Sequence, residues 1–152
     1  MSENEVLSML EIKCTYNASQ ETVFDALTKP EIMAKWFYGM DMARAEVESD
    51  FRVGGEYVIR MFKEDGSKSD CAEYAPHGEF LEIDAPNKVA FTWISEGFVE
   101  HSVVTISFEA VDSGTELTLR HELPEQVLPP HREGWNSCLE NLEGKCFVSD
   151  CC

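Results

Sequence analysis

The sequence predicts an α+β protein: a curved antiparallel β-sheet of about seven strands wrapped around a long C-terminal helix, with two short helices after the first strand. Three observations lead there. The segment SMLEIKCTY alternates apolar Leu10, Ile12, Cys14 and Tyr16 with polar Glu11, Lys13 and Thr15, the period of a half-buried strand. From residue 43 to residue 123 short alternating runs are separated by turn residues. Beyond Pro129, Trp135, Cys138, Leu139, Leu142 and Cys146 recur at helical spacing, one apolar stripe. Short links between successive strands force an antiparallel meander. Helices gathered at the two ends of such a meander belong on one side of the sheet.

The elements follow in order. Ser19 is placed to cap a short helix carrying Val23, Phe24 and Leu27. Pro30 suits the first turn of a second, carrying Ile32, Met33, Trp36 and Phe37. AEVESDFRVGGEYVIRMF reads as two strands around a tight turn at Gly54 and Gly55, and EDGS around Gly66 as a further turn. HGEFLEIDAPNKVAFTWIS holds two strands around Asp84–Asn87, and SVVTISFEAVDSGTELTLRHEL a hairpin over Asp112–Thr115. The last helix is expected from Pro129 to Cys146. No repeat, low-complexity run or linker interrupts the chain, so one domain is expected over residues 7–148, with 1–6 and 149–152 as flexible termini.

Composition narrows the function classes. A chain of 152 residues can bury roughly 68–70% of its unfolded surface without staples. The net charge of −17 disfavours nucleic acid and anionic membranes. No basic, apolar leader and no run of membrane-spanning length appears, so a cytoplasmic protein with its six cysteines reduced is expected. No CxxC pair and no pair of histidines at i, i+4 marks a metal site, and no metal or other cofactor is expected.

The segments VFDALTKPEIMAKWF, FRVGGEYVIRM, GEFLEIDAPNKVAFTW, SVVTISFE, GTELTLRH and HREGWNSCLENL resemble, in order and spacing, the activator of heat-shock protein 90 ATPase homologue-like family. That family is part of the START-like (SRPBCC, helix-grip) superfamily. The resemblance runs from about Ile12 to Leu142. It implies a bent sheet gripping the C-terminal helix with a cavity between them, and it supplies neither a ligand nor a shared catalytic motif.

Strand parity suggests what faces that cavity. Val89, Phe91 and Trp93 share one face; so do Leu117, Leu119 and His121, and so do Tyr57, Ile59 and Met61. Turned towards the helix, these rows meet Trp36, Phe37, His131, Trp135, Cys138 and Leu139. Such an aromatic, apolar set suits a small-molecule pocket and suits a filled core equally. His121 is read as an inward neutral imidazole bonded to a backbone carbonyl, His131 as a packing or capping residue, and His77 and His101 as solvated.

Enzyme signals are thin. GxSxG, P-loop and GxGxxG motifs are missing, Val53–Gly55 is a turn device, and Glu79 and Glu82 belong on the outer face of their strand. The expectation is non-enzymatic binding of a small, largely apolar molecule between sheet and helix. The alternatives are a co-chaperone-like protein that binds heat-shock protein 90, and a cyclase- or hydrolase-like enzyme acting on an aromatic or polyketide substrate.

Overall fold

The computed structural model describes residues 7–38, 42–63, 74–95 and 101–146. The turn expected around Gly66, the termini and Cys71, Cys151 and Cys152 lie outside the described residues. Seven antiparallel strands form one sheet: β1 (Leu7–Tyr16), β2 (Arg44–Ser49), β3 (Glu56–Phe62), β4 (His77–Asp84), β5 (Lys88–Thr92), β6 (Val103–Val111) and β7 (Gly114–Pro124). Their spatial order is β1-β7-β6-β5-β4-β3-β2, so the chain from β2 onward is a meander and β1 closes on its last strand. Helices α1 (Gln20–Thr28) and α2 (Pro30–Trp36) follow β1, and α3 (Leu128–Cys146) ends the fold.

Local chemistry explains the boundaries. The Ser19 hydroxyl accepts the Thr22 amide at 3.2 Å, capping α1, whose buried face holds Val23, Phe24 and Leu27. Pro30 opens α2, where its missing N–H costs no helical bond. The link between β2 and β3 is longer than the expected Gly54–Gly55 turn: it begins at Asp50, and Gly54 takes φ +89° within it. A Glu125–Val127 3₁₀ turn, unmarked in the sequence, leads into α3.

Alternation carries through to packing. Leu10, Ile12 and Tyr16 of β1, Val104, Ile106 and Phe108 of β6, and Leu117, Leu119 and Leu123 of β7 are buried on the inner face. Glu79 and Glu82 are exposed, and Glu82 pairs with Lys88 at 3.3 Å, as expected of an outer face. The β4–β5 register shifts between Phe80 and Glu82, a bulge that bends the sheet. Nearby, Gly78 lies so close to β5 that a Cβ there would sit 1.9 Å from the Thr92 carbonyl oxygen, so no larger residue fits without backbone movement.

The stripe of α3 packs on this inner face. Trp135, Cys138, Leu139 and Leu142 are buried with the sheet residues in one core; the side chain of Cys146 lies outside the described residues. Two polar clamps fix the helix. The Tyr16 hydroxyl donates to the Leu139 carbonyl at 3.1 Å, and the Asn141 amide donates to the carbonyls of Trp36 and Tyr38 at 2.8 and 3.3 Å. The helix is thereby tied to β1 and to the end of α2 together.

Candidate ligand-binding site

Each side chain expected between the sheet and α3 is buried: Trp36, Phe37, Tyr57, Ile59, Met61, Phe91, Trp93, Leu119, His121, His131, Trp135, Cys138 and Leu139. Ring contacts divide the aromatic members into two groups. Phe37 stacks on Trp36 with centroids 4.7 Å apart and meets Trp93 and Trp135 at 6.3 and 5.6 Å, while Trp93 and Trp135 lie 5.0 Å apart. These four rings form a continuous wall between α2, β5 and α3. Tyr57, Phe80 and Phe91 form the second group, with centroids 5.4–6.2 Å apart. Phe80 was not singled out in the sequence, although its alternation with Glu79 and Leu81 carries the signal.

A directed hydrogen-bond chain runs through the first group. The indole Nε1–H of Trp135 donates to Nδ1 of His121 at 3.1 Å. An indole nitrogen can only donate, so Nδ1 carries no proton and the neutral imidazole holds its hydrogen on Nε2. Nε2–H therefore donates to Ser102 Oγ at 2.8 Å, and Ser102 O–H donates onward to the Trp93 carbonyl at 2.7 Å. Helix α3, strand β7 and the end of β5 are joined through one imidazole in one tautomer. His121 meets no backbone carbonyl directly, contrary to the expectation from sequence: its partners are two side chains, and the carbonyl lies one residue further along the chain of bonds. Ser102 shares parity with Val104 and Ile106, the sequence signal that could have found it.

Electrostatics keep the site neutral. Burial pushes the His121 pKa down to about 3, with neighbouring His131 acting in the same direction. The two imidazoles meet edge to face at 5.4 Å. His131 is lowered by burial, partly opposed by its Nδ1–H bond to the Val127 carbonyl at 2.8 Å, a packing and capping role. Burial pushes the Cys138 thiol up to about 12, which leaves it protonated and a poor nucleophile. Among the described residues no group of His, Cys, Asp and Glu is arranged to hold a metal ion.

A separate open groove of about 990 Å³ lies around the β2–β3 turn and the neighbouring parts of β3 and β4. Glu48, Asp50, Glu56, Glu79, His77 and Arg52 are among its lining residues, and of the side chains assigned to the space under α3 only Tyr57 borders it. His101 is exposed there, whereas His77, expected in solvent, is half-buried; its backbone pairs with Ile94.

Comparison with known proteins matches residues 17–145 to the family described as Activator of Hsp90 ATPase homolog 1-like protein. The chain belongs to this family. Nothing among curated proteins matches it. Among solved structures, an HSP90 activator from Plasmodium falciparum is 27% identical, with 90% of this chain and 94% of that one covered and a TM-score of 0.70. A protein from Chromobacterium violaceum is 20% identical over 90% of this chain and 94% of its own, with a TM-score of 0.74. CalU16 from Micromonospora echinospora is 24% identical over 93% and 83%, with a TM-score of 0.69. The last two likenesses speak to the fold, a seven-stranded sheet curled around its C-terminal helix. Among the described residues no helix of this family member is long and apolar enough to cross a membrane.

Proposed function

We propose that this family member binds a small, largely apolar molecule between the inner face of the sheet and α3, and that it does so without catalysing a reaction. The observation that carries the reading is the composition of the space under α3. Four large rings (Trp36, Phe37, Trp93 and Trp135) stand beside a few buried polar groups, the mixture by which small-molecule sites bind and orient a ligand. The described groups nearest this wall argue against catalysis. His121 has both ring nitrogens engaged, and Cys138 is held as a thiol.

Native mass spectrometry of freshly purified protein tests the proposal. The expected result is a small molecule retained on the folded chain and released on denaturation. Bare protein that also takes up no added neutral aromatic compound would count against it. A second reading, a protein partner of the heat-shock protein 90 class, is supported by the likeness to the Plasmodium falciparum activator. It predicts that the purified chain raises the ATPase rate of heat-shock protein 90.

A further inference from the structure

The sheet has two edges, β1 and β2, and the fold treats them differently. Helix α2 packs against β2. Strand β1 pairs with β7 on one side, and beyond that ladder no backbone group of residues 7–15 has a hydrogen-bond partner among the described residues. A row of unpaired N–H and C=O groups is a template for another strand, and soluble proteins blunt it with a bulge, a proline or a covering element. β1 has neither bulge nor proline: its ten residues run in unbroken register with β7. Leu7 and Met9 are 52% and 54% exposed on its outer face, and Cys14 on the inner face is only half-buried.

The pattern of β1 is complementary to itself. Glu11 and Lys13 stand two positions apart on the outer face, both exposed. Two copies of the strand laid antiparallel about a two-fold axis can meet in several registers. A slip of one residue sets the inner row of one copy against the outer row of the other. An axis at Glu11 opposes two glutamates, and an axis at Lys13 opposes two lysines. An axis at Leu10 or at Cys14 leaves both charges opposite uncharged residues. An axis at Ile12 sets Glu11 opposite the partner's Lys13 and Lys13 opposite the partner's Glu11, with Leu10 opposite the partner's Cys14. Residues paired in this way share parity, so the free N–H and C=O groups of one strand meet those of the other.

We propose that the chain forms a symmetric dimer by antiparallel pairing of β1 with β1 of a second copy in this register, joining the two sheets into one. Main-chain bonds hold the strands together, and the two Glu11–Lys13 pairs fix the register. The stem of the partner's Lys13, a diagonal neighbour, covers the exposed Met9. Charge opposes association at long range, since each copy carries −17 and Glu140 and Glu143 of α3 lie near Cys14. At about 0.15 M salt, charges more than roughly 8 Å apart are largely screened, whereas directly opposed residues of a ladder are closer than that.

Sedimentation equilibrium of the full chain at about 0.15 M salt, from about 10 µM to about 1 mM, tests the dimer. The weight-average mass is expected to rise towards twice that of the chain. Lys13→Glu, an exposed change opposite Thr118 of β7, opposes glutamates at both symmetric positions and should weaken the dimer about tenfold. Glu11→Lys should do the same by opposing lysines. An equimolar mixture of the two variants should recover wild-type association, because each glutamate then faces a lysine. Glu11→Lys also gives up the ion pair with Arg120. Should it fail to fold, amide exchange decides: alternate amides of β1 should exchange more slowly as the concentration of wild type rises, and should not in Lys13→Glu. Wild type that stays monomeric at the highest concentration overturns the proposal. So does a dimer that Lys13→Glu leaves unchanged, a mixture of folded variants that associates no better than either alone, or β1 exchange indifferent to concentration.

Discussion

Trp135→Ala is expected to lower the stability of the protein by about 3–5 kcal/mol. The indole is 3% exposed and lies against Phe37, Trp93 and His121. Its removal leaves a void under α3, and the alanine methyl restores few of the lost contacts. It also strips His121 Nδ1 of its donor, leaving a buried acceptor unpaired. Denaturant melts of wild type and variant measure the difference. A tryptophan serving only as an exposed docking residue costs no more than about 0.5 kcal/mol on removal, so a change of that size contradicts the packing described here.

The second large effect is a loss of stability in mild acid. The pKa of His121 is about 3 in the folded protein against an ordinary value of 6.5. Above pH 6.5 both folded and unfolded chains hold the imidazole neutral, and the group adds no pH dependence. Below 6.5 the unfolded chain takes up a proton that the folded one refuses, so stability falls as pH falls, until the folded pKa is reached. Protonation would also set an Nδ1–H against the Trp135 N–H, two donors face to face. Between pH 6.5 and 5, where ordinary carboxylates stay ionised, the loss comes to about 2 kcal/mol, and near pH 3 it approaches about 4 kcal/mol. His131, shifted in the same direction, adds to it. Urea melts at pH 7, 6 and 5 check this, with His121→Gln expected to flatten most of the dependence. Wild-type stability that is level from pH 7 to 5 would show that His121 is not held neutral.

These two effects involve residues whose burial was legible in the sequence but whose partners were not. The parity of Leu117, Leu119 and His121 placed the imidazole inward, and the stripe of α3 placed Trp135 above it. Periodicity reports which face a side chain occupies and carries no information about which polar atoms meet there. The donor to His121 comes from a helix 14 residues away and its acceptor, Ser102, from 19 residues away. Such a pairing depends on how strands stack in space. Asn141 makes the same point: it lies beside the apolar stripe as an unremarkable polar residue, yet its amide clamps α3 to Trp36 and Tyr38. Turns were read well where one glycine decides them, as at Gly114 with φ +141°. They were read too short where backbone geometry decides, as in the loop from Asp50 to Gly55, where a Cβ on Gly55 would lie 1.9 Å from the Asp50 carbonyl.

The proposed function requires that an apolar guest be taken up between the inner face of the sheet and α3. Fluorescence titration with N-phenyl-1-naphthylamine, a neutral apolar dye, tests this when run on wild type and on Trp135→Phe, each held at pH 7.5, above the range in which His121 lowers stability. The expected result is saturable binding at one site on the native protein, with an affinity changed by Trp135→Phe while the denaturant midpoint of that variant shows it still folded. Native protein that binds no dye, or dye affinity indifferent to Trp135→Phe, would contradict it and leave the rings under α3 as packing alone.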